Sequence, residues 1–180
     1  NQEEFQYSWY LYGLGNYGNM PLIEPLEYRE DRKISDLVIV IDTSGSCERD
    51  LVRIFLEETK GILEQEQLFF RQFCLHLIQC DNQIQRDDRI ENKEQFEEYL
   101  EHLEIKGGGG TDFCPAFCYV EKLRSEGELR DLRGMLYFTD GSGLYPKKEP
   151  DYEVYFVMLE GSCDTIDMPD WIPRRILQAV

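Results

Sequence analysis

The run Asp36-Leu37-Val38-Ile39-Val40-Ile41-Asp42 constrains the fold more than any other part of the chain. It places five apolar residues in succession, four of them β-branched, between two aspartates. A strand with one wet face alternates apolar and polar residues; a continuous run requires burial on both faces. Such a strand belongs in the middle of a parallel sheet covered by helices on both sides. At five residues the run is far short of the ~20 that a membrane helix needs.

The rest of the pattern agrees with that placement. Cys47 to about Gln65 carries Leu51, Val52, Ile54, Phe55, Ile62 and Leu63 at helical spacing. Phe73 to Cys80 reads as a second strand, and Asp81-Asn82 as a tight turn into a third, Gln83 to Asp87, antiparallel at the sheet edge. Asn92 to Leu103 is a helix with Phe96, Tyr99, Leu100 and Leu103 on one side. Pro115 falls where the first turn of a helix tolerates proline, and that helix runs to about Ser125. Gly134 to Thr139 and Tyr152 to Leu159 are further strands, with Arg175 to Ala179 as a last one. Strands alternating with helices predict a doubly wound α/β fold, its sheet mostly parallel with one antiparallel edge strand.

Residues 1–35 read differently from 36–180. Phe5, Tyr7, Trp9, Tyr10, Tyr12 and Tyr17 stand among glycines, followed by Pro21 and Pro25, with no period of 2 or 3.6. This is an irregular aromatic arm, or the end of an upstream region, that packs against a neighbouring domain or against this one. The chain begins with Asn1, as a piece of a longer protein would.

Thirty-six acidic against nineteen basic residues give a formal charge of −17. That balance argues against nucleic acid as a partner, since phosphate binding needs clustered Lys and Arg. It suits a soluble acidic surface, or carboxylates gathered around a cation or a basic partner. Cys47, Cys74, Cys80, Cys114, Cys118 and Cys163 form no C-x-x-C pair, and His76 and His102 are far apart, so a zinc knuckle is poorly supported. With no export signal or membrane span in the pattern, a reducing cytoplasm and free thiols are expected.

Three loops carry the chemistry. Asp42-Thr43-Ser44-Gly45-Ser46 follows the first strand. Gly107-Gly108-Gly109-Gly110-Thr111-Asp112 precedes the helix marked by Pro115. Thr139-Asp140-Gly141-Ser142-Gly143 follows the strand ending at Phe138. In doubly wound sheets, ligands bind beyond the carboxyl ends of the strands, where such loops converge. An Asp and two Ser at alternate positions turn three oxygens toward one point. Hydroxyls and carboxylates without histidine select Mg²⁺, Mn²⁺ or Ca²⁺ over zinc or copper. Cys47 adjoins the first loop and is read as pointing away into packing. Alternatives exist for each piece: Ser44 and Ser46 as helix caps, Asp140-Gly141 as a turn, the glycines as a phosphate cradle. No Gly-Lys-Ser/Thr follows the glycines, and neither histidine is placed near Ser44 to make it a nucleophile. His76 is read as a core residue, and Asp81, Asp87 and Asp88 as turn residues.

Asp42-x-Ser44-x-Ser46, then Thr111, then Asp140 resembles the metal-ion-dependent adhesion site of von Willebrand factor type A (VWA) domains, over roughly Lys33 to the end of the chain. The resemblance implies that Ser44, Ser46 and Thr111 are hydroxyl ligands of a divalent cation, most simply Mg²⁺. Asp42 and Asp140 would act directly or through water. It also implies an open coordination position for an Asp or Glu carboxylate of a protein partner, with Gly110, Asp112 and Gly141 around it. The glycine loop and the arm around Pro21 to Tyr28 are similar to a bacterial VWA-like family whose longer members have been linked to metallopeptidase activity. Relatives imply an intracellular assembly with a ring-forming AAA+ ATPase. The alternative is a part in a metal-dependent hydrolase, in which the ion would activate water. This chain has no His-Glu-x-x-His, so the peptidase chemistry does not carry over to it.

Overall fold

A computed structural model describes residues 35–47, 49–65, 73–159 and 168–177; the aromatic arm lies outside them. Six strands and three helices follow in the order β1 (Ser35–Asp42), α1 (Arg49–Gln65), β2 (Phe73–Cys80), β3 (Ile84–Ile90), α2 (Lys93–Glu101), α3 (Cys114–Glu126), β4 (Leu132–Phe138), β5 (Glu153–Leu159) and β6 (Arg174–Leu177). The strands form one sheet in the order β3-β2-β1-β4-β5-β6. Every neighbouring pair is parallel except β2 and β3. The expected doubly wound sheet with an antiparallel edge is the fold observed.

β1 is central and sealed: Val38, Ile39, Val40 and Ile41 have no exposed surface. Its side chains divide between two cores by the period of two. Leu37, Ile39 and Ile41 pack with Leu51, Phe55 and Leu63 of α1 and Phe96 and Tyr99 of α2. Val38 and Val40 pack on the opposite face with Ala116, Phe117, Val120 and Leu123 of α3. The sheet is therefore the middle of three layers. Local signals set the helix ends. Asn92 accepts from Gln95 N through its side chain at the start of α2, and Pro115 lies in the first turn of α3. Gly127, in the left-handed conformation, closes α3.

The antiparallel strand runs from Ile84 to Ile90, three residues past its expected end at Asp87. Asp87 and Asp88 are therefore strand residues, in register with Ile78 and Leu77 of β2. Ion pairing makes charged residues tolerable at this edge. Asp87 meets the buried His76 ring at 3.0 Å, and Arg86 pairs with Asp88. Acidic and basic side chains along an edge strand also discourage pairing with another chain.

The strand order positions the site. From β1 the chain moves to β2 and β3 on one side, then returns through α3 to β4 on the other. Connections thus leave the carboxyl ends of β1 and β4 in opposite directions, and a crevice opens between them. Ile41 lies beside Phe138 in the register, so the next residues, Asp42 and Thr139, face one another across that crevice.

Candidate metal centre

Asp42 closes β1 with no exposed surface. Both its carboxylate oxygens are held: Oδ1 accepts from the Ser44 N–H at 2.9 Å, and Oδ2 from the Thr139 hydroxyl at 2.6 Å. The first contact is an Asx-type turn that folds the loop back over the strand end. It brings Ser44 Oγ to 3.1 Å from Ser46 Oγ. Ser44 is buried whereas Ser46 is exposed, so the hydroxyl pair reaches from the crevice floor toward solvent.

Asp140 is 6% exposed, and its Oδ1 accepts from the Ser142 N–H at 2.9 Å. Thr139 Oγ1 both donates to Asp42 and accepts from the Gly141 N–H at 3.0 Å, so one hydroxyl couples the two acidic loops. Burial, aided by the Asp140 charge and opposed by hydrogen bonds from Ser44 and Thr139, holds the Asp42 carboxyl above its ordinary range. Two acids share a nearly dry crevice, an arrangement whose natural complement is a cation.

The glycine loop is pinned over the first loop by main-chain bonds. Gly45 N donates to Gly109 O at 2.9 Å and Gly108 N to Thr43 O at 2.8 Å. Gly107 has φ +139, and a Cβ there would come within 2.4 Å of Thr43 Oγ1. Only glycine permits this approach. Asp81, nearly sealed at the end of β2, clamps the loop from beneath: Oδ2 accepts from Gly109 N at 3.1 Å, Oδ1 from Gln83 N and Gln85 Nε2. Burial pushes the Asp81 carboxyl up, but these donors outweigh it and hold it below the usual value.

Asp42, Ser44, Ser46 and Asp140 are thus brought to one crevice. Thr111 is half-buried on the adjoining loop. Its carbonyl accepts from Leu144 N, and its methyl lies against Gly143. Among the described residues its hydroxyl makes no hydrogen bond to the other four. Asp112 turns Oδ1 to the Cys114 N–H at the start of α3. Gly110 is exposed, and Gly141 is buried with its carbonyl accepting from the Tyr145 hydroxyl.

Three contributors escaped sequence reasoning. Thr139 orients Asp42, and its only signal was a hydroxyl residue directly before Asp140 at a strand end. Asp81 is a loop clamp, where a turn was expected. Cys47 does not simply point away: it is buried, yet one ligand atom from each of Asp42, Cys47 and Asp140 lies within 4.8 Å of the others. Burial first, then the charges of Asp42 and Asp140, push its thiol far up when no cation is present. The carboxylate and hydroxyl oxygens gathered around it are of the kind that fit a hard divalent cation.

A three-layer sandwich with an Asp-x-Ser-x-Ser loop and a second acid at the switch point of its parallel sheet defines an A-type α/β domain. The chain belongs to the VWA-like domain family (DUF2201), whose sequence model matches residues 37–175. A comparison with curated proteins found no match. Among solved structures the chain is similar to proximal thread matrix protein 1 from the mussel byssus, in two crystal forms, with TM-scores of 0.56 and 0.57 at 12% identity. The match covers 81% of this chain and 43% of the mussel protein, and it bears on the fold alone. The VWA domain of SpRpn10 matches with a TM-score of 0.46 at 10% identity, over 82% of this chain and 90% of that one. Among the described residues, no helix is long and apolar enough to cross a membrane.

Proposed function

We propose that this domain is a metal-ion-dependent protein-binding module that captures an acidic side chain of a partner protein. The observation that carries this reading is the buried Asp42 carboxylate, fixed at both oxygens, within reach of Asp140 and the linked hydroxyls of Ser44 and Ser46. Family membership supports it, because VWA-like domains commonly mediate protein–protein contacts.

Asp42, Ser44, Ser46 and Asp140 would hold the ion, with Thr111 approaching from the glycine loop; Mg²⁺ is the first expectation, with Mn²⁺ and Ca²⁺ served by the same donors. A bound divalent cation supplies local positive charge to a surface that otherwise repels carboxylates. The chain's own residues do the positioning. Ser44 N–H and Thr139 hold Asp42 in a single orientation, Ser142 N–H holds Asp140, and the glycine loop leaves the outer side open near Ser46 and Gly110. The start of α3, following Asp112, favours added negative charge there. An AAA+ ATPase in a cytoplasmic assembly is the partner we put forward. A hydrolytic role finds less support. His76 lies in register with Val38, four residues before Asp42 on the strand, and its Nδ1 meets Asp87; the exposed His102 ring meets Glu98 O.

Titration calorimetry with Mg²⁺ and Mn²⁺ tests the site: one binding event is expected, lost in the Ser44→Ala, Ser46→Ala double variant. A pull-down from native cytoplasm with wild type and Asp42→Ala, each with and without chelator, tests the partner contact. Recovery of the same proteins in all four conditions would refute the reading.

A further inference from the structure

We infer that the partner segment is an acidic peptide carrying a large apolar side chain next to its metal-seeking carboxylate, and that Leu144 is the contact that reads this apolar residue. The inference rests on the metal-dependent reading above and adds the chemistry of the ligand beyond its carboxylate.

Leu144 is 66% exposed, the most exposed large hydrophobic among the described residues. A lone surface leucine ordinarily carries no message, but this one is tied by its backbone to the loop that carries Thr111. Its N–H donates to Thr111 O at 3.4 Å, and its carbonyl accepts from Phe113 N at 3.0 Å, making a short parallel bridge beside Asp112. The preceding residue is packed closely: a Cβ at Gly143 would lie 2.6 Å from the Thr111 methyl and 2.9 Å from the Phe113 ring. The following residue, Tyr145, packs its ring 4.7 Å from that of Phe113. The backbone on either side is therefore committed to the core while the leucine side chain stands in water. Leu144 is four residues from Asp140, so their Cα atoms lie within about 14 Å at most, and one short bound peptide meets both the crevice and this side chain.

Charge selects the peptide. On a chain with a formal charge of −17, the stretch from Gly141 to Lys148 has two positive residues and no negative one. Lys147 and Lys148 are exposed, ahead of Glu149 and Asp151. Arg124, with help from Lys148, holds the Asp151 carboxyl low, while no described carboxylate lies within ion-pair distance of Lys147. An acidic peptide is repelled by the net charge of this protein, and the two lysines make this rim less repulsive than the acidic surface at large. A carboxylate at the metal, an apolar residue on Leu144 and further acids toward Lys147 and Lys148 form one continuous ligand.

The test uses the full chain and a fluorescein-labelled peptide, Gly-Asp-Leu-Glu-Glu-Gly, in Mg²⁺ or Mn²⁺, with calorimetric metal titrations run in parallel. Binding to the wild type should vanish with chelator and with Asn in place of the peptide's Asp. Leu144→Ala, or Ala in place of the peptide's Leu, should weaken binding by at least about fivefold. Lys147→Glu with Lys148→Glu should weaken it further and flatten its salt dependence, while the metal heat is unchanged in all these variants. If the metal binds but the peptide does not, or binds Leu144→Ala as tightly as wild type, the inference is overturned and the metal site stands. Leu144-dependent dimerisation without metal or peptide, read by sedimentation, would overturn it in favour of a second copy. Loss of the metal heat in the wild type would remove the underlying reading, and this inference with it.

Discussion

The Thr139 hydroxyl donates to Asp42 Oδ2 at 2.6 Å, joining the carboxyl ends of two adjacent parallel strands through residues 97 positions apart. The same oxygen accepts from Gly141 N–H, so a single hydroxyl fixes the first acid and shapes the loop carrying the second. Replacing it with a methyl leaves a buried carboxylate short of a donor. Thr139→Val should lower stability by about 2 kcal/mol, as expected for a lost hydrogen bond to a charged group. Denaturant melts check the stability; calorimetry should show weaker Mg²⁺ binding. Thr139→Ser, which retains the hydroxyl, should restore most of both.

Asp140→Asn should separate stability from metal binding. The amide oxygen can still accept from Ser142 N–H, while the charge beside the buried Asp42 disappears. The metal-free variant should melt higher by roughly 2–4 °C, the shift that about 1 kcal/mol produces in a domain of this size. Added Mg²⁺ should raise the melting temperature of the wild type and leave the variant unmoved. Chelator should return the wild type to its metal-free value.

Gly143→Ala tests how Thr111 is held. The added methyl has no room between the Thr111 methyl and the Phe113 ring, so the Thr111 loop or the ring must move. Such overpacking costs about 1–3 kcal/mol. Denaturant melts should show that loss. Amide shifts in NMR spectra should change along residues 107–113 more than in β1.

His76 gives stability a dependence on pH at a place remote from the crevice. Burial pushes its pKa down, but Asp87 at 3.0 Å outweighs that, with Cys74 adding to the rise, and brings it up to about 9. The Tyr119 hydroxyl holds the same Asp87 carboxylate at 2.9 Å. The folded state thus binds this proton more tightly than the unfolded chain, whose histidine titrates near its ordinary 6.5. The stabilisation is fully present below about pH 6.5 and is lost as pH rises through about 9. It amounts to about 3 kcal/mol. Urea midpoints measured from pH 6 to pH 10 should fall across that window in the wild type and show a flatter profile in His76→Gln.

Much of this protein is determined by short stretches of sequence read one at a time. The unbroken apolar run from Leu37 to Ile41 requires burial on both faces, and the alternation of strand and helix then leaves a doubly wound sheet as the economical solution. That Asp42, Ser44 and Ser46 stand together at one strand end is legible because their spacing within one loop is covalent. The arm's expected interface falls outside the described residues. What local sequence does not contain is contact between distant loops. That Asp42 meets Thr139 depends on β4 lying beside β1, and that Asp81 holds Gly109 depends on β2 lying on the other side. The Cys47 thiol faces two acids because the loop turns at Ser44 before α1 begins, a direction that an apolar-looking residue next to a helix does not announce. The antiparallel edge strand outlasts its apolar pattern because Asp87 and Asp88 find cationic partners, His76 on β2 and Arg86 on the same strand. Hydrophobic periodicity is a property of neighbours along the chain, whereas the pairing of buried polar groups is decided by strand order and register, which exist only once the sheet has assembled.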